Sequence, residues 1–130
     1  MITEDYVSFD VAKLLKEKGF DNDVLITDWW YDDSGISHKR GNYSYSGAPL
    51  YDKKTCFNCP TIQLAIKWLR EKHRFFINIQ RCKFKFFFAI ESMDESSENE
   101  YSLGHFKEFE RSTYEEACEA AIRYTLENLI

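Results

Sequence analysis

A chain of 130 residues with 44% hydrophobic side chains, including 11 Phe, 8 Tyr and 3 Trp, has apolar area for one core and excludes wholesale disorder. Its formal charge of −5 argues against a general affinity for polyanions, and no apolar run approaches the roughly 20 residues of a bilayer span. Acids at Glu4 and Asp5 stand where a secretory leader would be basic and then apolar, so the expectation is one cytoplasmic domain over residues 1–130.

In chain order, Ser8 caps a first helix whose apolar positions Phe9, Val11, Ala12, Leu14 and Leu15 fall at helical spacing. Gly19 suits the left-handed position that ends it, and Phe20 can fold back on it. Asp23 to Trp30 mixes β-branched and aromatic residues and is predicted as a strand. Residues 31–55 contain Gly35, Gly41 and Gly47 and read as loops with a weak hairpin, including a short strand over 41–47 that sets Tyr43 and Tyr45 on one side.

That loop ends at Cys59, and Pro60 is preorganised for the first turn of a helix over about 60–73, with Ile62, Ala65, Ile66, Trp68 and Leu69 on its apolar side. Arg74 to Arg81 and Lys83 to Glu91 then form an antiparallel hairpin with a tight link near Cys82. On it Phe75, Ile77 and Ile79 should share a core face with Phe84, Phe86, Phe88 and Ile90. The acidic run 94–100 reads as a connection, and 101–109 as a returning third strand.

Ser112 or Thr113 opens a last amphipathic helix over about 113–128, with Glu115 and Glu116 in the first turn, where carboxylates complement the helix dipole. The order of elements implies an α+β fold: a small, mainly antiparallel sheet packed against two or three helices.

Charge is distributed unevenly. Residues 1–59 balance at −3, residues 60–90 at +6 and residues 91–130 at −8. Within the basic centre Arg70, Arg74, Arg81, Lys83 and Lys85 alternate with phenylalanines, a composition that suits a nucleic-acid surface, while the acidic C-terminal third could neutralise it from inside the fold. Trp29, Trp30, Tyr31, Tyr43 and Tyr45 form a candidate contact surface for a protein, because adjacent strand residues face opposite sides and one tryptophan should remain exposed.

Cys56 and Cys59 form a C-x-x-C just ahead of a helix, a place that lowers thiol pKa, and it is also half of a zinc site. The preceding loop departs from the strand–turn–helix setting of dithiol oxidoreductases, and His38, His73, His105, Cys82 and Cys118 offer no second close ligand pair, so four free thiols are expected. Glycine-rich phosphate loops are missing, the acids at 32–33 and 94–100 lack the pattern of a calcium loop, and no cofactor is indicated.

The segment Cys59 to His73, with its Pro-Thr-x-Gln start and Trp68-Leu69-Arg70-Glu71, resembles a group of small uncharacterised α+β proteins from Bacteroides-type genomes, phages and mobile elements. The helix Ser8 to Phe20 and the stretch Thr113-Tyr114-Glu115-Glu116-Ala117 look like the same group. The resemblance spans roughly half of the chain and implies a fold without an assigned activity. Three readings therefore stand. The first is a non-enzymatic protein-interaction or accessory module of a phage or mobile element, self-association included. The second is a nucleic-acid binder using region 67–87. The third is a thiol redox or zinc protein through Cys56 and Cys59.

Overall fold

The computed structural model describes residues 2–24, 27–40, 50–94 and 110–130. The fold is α+β, with two small antiparallel sheets among the described residues where the sequence suggested one.

Helix α1 (Phe9–Glu17) starts as expected: the Ser8 hydroxyl accepts from the Val11 amide. Gly19 takes φ 97°, in the left-handed region, and ends it. Its carbonyl then accepts from Asn22 N, and Val24 N donates to the Phe20 carbonyl, so the chain makes a further helical turn, α2 (Phe20–Asp23). This corrects the strand predicted from Asp23. The physical reason is tertiary: Asp23 Oδ2 accepts from Trp68 Nε1 at 2.9 Å, and the buried Phe20 ring meets the Trp68 ring edge-on at 5.4 Å. The helical turn ends before the β-branched Val24, which is itself extended at φ −118° and ψ 126°. Among the described residues of this stretch the strand is β1 (Trp29–Tyr31).

Strand β1 pairs antiparallel with β2 (Ser37–Lys39) on one side and β3 (Phe57–Cys59) on the other. The turn from β1 to β2 is organised by Asp32, whose Oδ1 accepts from the Ser34 and Ile36 amides. Gly35 sits in that turn at φ 85°, and a Cβ there would come within 3.0 Å of the Phe9 ring, so the hairpin lies tight against α1. Cys59 thus closes a strand instead of a loop. The short strand expected over 41–47 lies outside the described residues.

Helix α3 (Ile62–Lys72) is capped by Thr61, whose hydroxyl accepts from Leu64 N at 3.1 Å. Pro60 stands one position before the cap instead of in the first turn. Lacking an N–H, it contributes only a carbonyl, which accepts from Val7 N at 3.1 Å and so pins the N-terminal segment.

Strands β4 (Phe75–Cys82) and β5 (Lys85–Ser92) form the expected hairpin, in the register Ile77↔Ile90 and Ile79↔Phe88. The core face is as predicted for Ile77, Phe88 and Ile90, all buried. Phe75 and Ile79 are half-buried against that core, Phe86 is half-buried beside Tyr114, and Phe84 departs from the expectation altogether. It occupies the two-residue link with Lys83 and is 87% exposed, because the strand begins only at Lys85 and the turn aims its ring outward. The short strand β6 (Glu110–Arg111) adds to β5, and the returning strand predicted over 101–109 lies outside the described residues. Helix α4 (Tyr114–Asn128) is capped by Thr113, accepting from Glu116 N, which settles the choice between Ser112 and Thr113.

Apolar faces of α1, α3 and α4 meet the β4–β5 ribbon in one cluster that includes Val7, Leu15, Phe20, Leu69, Ile90, Ile122 and Leu126. Each fully buried Leu, Ile or Phe contributes about 1.5–3 kcal/mol of transfer free energy. No helix among the described residues is long and apolar enough to cross a membrane.

Candidate functional site

Strand β1 places Trp29 and Trp30 on opposite sides of the smaller sheet. Trp30 is only 4% exposed: His38 stacks on it at 4.5 Å and Tyr51, from the chain leading into β3, meets it edge-on at 5.8 Å. Trp29 is half-buried against Tyr6. Tyr31 is tied inward, its hydroxyl donating to the Val7 carbonyl at 2.7 Å and its ring against Phe9. Of the candidate aromatic surface, then, Trp30 and Tyr31 serve the interior, and Tyr43 and Tyr45 lie outside the described residues.

Around Trp30 the structure assembles polar groups that sequence reasoning did not connect. His38 Nε2 meets Asp32 Oδ2 at 2.9 Å, and this contact, with the two turn amides, holds the Asp32 carboxyl below the usual carboxylate range. Beneath lies Asp21, buried in α2, with Asn58 N donating to its Oδ2 at 3.4 Å and its Oδ1 unpartnered among the described residues. Burial pushes the Asp21 carboxyl upward. The adjacent Tyr51 phenol is itself pushed up to about 12, first by burial and then by the Asp21 charge. Asn58 is satisfied through its Oδ1, which accepts from Thr27 N. A register across three strands creates this cluster, so spacing along the chain could not have revealed it.

Cys56, immediately before β3, and Cys59, at its end, are both buried. Burial raises the Cys59 thiol, opposite to the thiolate stabilisation a reactive dithiol requires, and its Sγ points to the Val7 carbonyl at 3.6 Å. Among the described residues no group of three or more His, Cys, Asp or Glu side chains could hold a metal ion.

The basic residues divide. Arg70 is half-exposed on α3 beside Glu71, and Arg74 sits at the opposite end of the ribbon from the link, with φ 62°. Arg81, Lys83 and Lys85 lie at the tip of the β4–β5 hairpin with the projecting Phe84, all exposed, Arg81 and Lys85 on opposite faces of the ribbon by register. Among the described residues none of these three cations has a carboxylate within ion-pair distance, and Lys85 reaches only the Ser112 hydroxyl, at 3.5 Å. Lys83 holds φ 56°, a region that costs a non-glycine residue about 1 kcal/mol. The local signal was the run Arg81-Cys82-Lys83-Phe84-Lys85, in which Phe84 lies between cations and not between apolar neighbours.

A cleft of about 750 Å³ also opens between α4 and the larger sheet, with Arg111, Glu116, Glu119, Arg123 and Glu127 around Phe88 and Tyr124. Its walls mix both charges without a nucleophile. Compared with family models, curated proteins and solved structures, the chain matches none.

Proposed function

We propose that this chain is a non-enzymatic binding module, an accessory component of a phage or mobile element, that engages its partner through the tip of the β4–β5 hairpin. The single observation that carries the reading is Phe84, 87% exposed at the end of the hairpin, with the exposed cations Arg81, Lys83 and Lys85 around it. A large ring held in water on a tight turn contributes nothing to the core, and its exposure costs what its burial in a partner would return.

The backbone at Lys83 supports the same reading. Glycine would adopt φ 56° without cost, yet a lysine stands there, so the charge is kept at the expense of local strain. Accessory status in a phage or mobile element rests on the resemblance of the Cys59–His73 and Thr113–Ala117 segments. Chemistry by a nucleophile and base has less support: among the described residues the hydrogen-bonded histidine, His38, faces a carboxylate and not a hydroxyl or thiol.

The test is a photo-crosslinking amino acid placed at position 84 and, as a control, at the exposed Ile36 on the far hairpin. In the host cell, adducts should form at position 84 and not at 36, and Lys83→Glu with Lys85→Glu should abolish them. Equal labelling at both positions, or none at 84, overturns the reading.

A further inference from the structure

Resting on that reading, we infer that the partner engaged by the hairpin tip is a single-stranded nucleic acid, with Phe84 stacking on an unpaired base and Arg81, Lys83 and Lys85 meeting its phosphates. Lys83, Phe84 and Lys85 put an exposed ring between two exposed cations in consecutive positions of the turn. That is the arrangement a nucleotide offers in complement, a flat base between two phosphates.

Local charge decides whether a chain of net charge −5 can approach a polyanion at all. The tip concentrates three cations in five residues. Among the described residues, Glu110 lies opposite Phe87 by register and is half-buried, and neither it nor Glu115 and Glu116 in the first turn of α4 pairs with any of the three. Glu91 lies opposite Phe76 at the other end of the ribbon, six positions from Lys85 and so about 20 Å away along the strand. That distance is more than twice the screening length of about 8 Å at physiological salt.

Unpaired strands fit better than a duplex. Three phosphate contacts supply only a small electrostatic term, so affinity must come from the ring, and a ring can stack without cost only on a base already out of the helix.

Fluorescence anisotropy with a labelled oligothymidylate of about 12 nucleotides, within the usual site sizes of single-strand binders, reads the inference directly. Binding should fall with salt on a log–log slope of about −2, an approximately 20-fold loss between 50 and 200 mM. Phe84→Ala should weaken it about 5- to 150-fold, Phe84→Trp should retain it, and Phe76→Ala, which alters a half-exposed ring elsewhere on the ribbon, should leave it unchanged. Circular dichroism of each variant verifies folding.

Equal affinity of Phe84→Ala and the parent, tighter binding of the same sequence as a duplex, or binding confined to anionic phosphatidylserine vesicles would each overturn the inference. Absence of oligonucleotide binding together with protein adducts at position 84 would sink the nucleic-acid assignment and leave the hairpin-tip reading standing. Absence of both would sink the two together.

Discussion

The Lys16 ammonium donates to the Cys56 carbonyl at 2.8 Å, joining α1 to a segment 40 positions further along the chain. The same group donates to the Lys53 carbonyl at 2.7 Å and lies 4.7 Å from the Phe57 ring centroid. One side chain thereby fixes the turn that delivers Tyr51 onto Trp30 and leads into β3.

Lys16→Met keeps the aliphatic stem and removes the charge, so it isolates those contacts. Hydrogen bonds from charged groups are worth about 1.5–3 kcal/mol, and partial exposure should place the loss toward the lower end of that range in urea unfolding. Limited proteolysis should cut earlier near Lys53 and Lys54. An unchanged midpoint with an unchanged cleavage pattern would show that the ammonium is not what holds this turn.

The Asp32 carboxyl sets an acid limb to stability. Its lowered value, caused first by His38 and then by the Ile36 and Ser34 amides, means that the folded protein binds this proton less readily than the unfolded chain. The contribution is complete above about pH 4 and is lost as pH falls through the lowered value. Asp32→Asn should flatten stability over that acidic window, read by unfolding titrations that follow tryptophan emission. Superimposable pH profiles for the two proteins would contradict the assignment.

Phe84 and Phe88 have the same alternation parity on one strand pair and opposite fates. Phe88 is 2% exposed in the core, and Phe88→Ala should cost about 3–5 kcal/mol, enough to threaten folding. Phe84→Ala should change stability by less than about 0.5 kcal/mol, as for an exposed position without partners in the fold. Comparable destabilisation by both would place the Phe84 ring inside the core.

Thiol chemistry should divide the four cysteines. Cys82 is exposed on β4, whereas Cys56, Cys59 and Cys118 are buried, and burial pushes the Cys118 thiol up to about 11. An aromatic disulfide reagent should titrate one thiol rapidly in the native state and the remaining three only on unfolding. Rapid release of two or more equivalents from native protein would contradict this burial pattern.

Helix starts were legible because their signals are local. Ser8 caps as expected and Thr113 is one of the two caps expected, each accepting from an amide three residues on, within a single turn, whereas the third helix opens at the Thr61 cap, one residue past the Pro60 expected in its first turn. That Ile77 and Ile90 share a core face followed from period-two alternation on either side of a short link, while their register, set by the link at Lys83 and Phe84, did not. By contrast, the helical turn at Phe20–Asp23 depends on Trp68, 45 positions beyond Asp23, and no local propensity could have announced it. The burial of Trp30 under His38 and Tyr51 required knowing that β2 and the approach to β3 flank β1.

What the amino-acid order determined by itself was the class of fold, the three longer helices and the ribbon with its buried Ile77, Phe88 and Ile90, since periodicity acts over one or two turns of chain. Only the tertiary structure decided which aromatic rings face water. That depends on where a strand ends and which distant segment lies over it, and by that criterion Trp30 went inside and Phe84 to the tip.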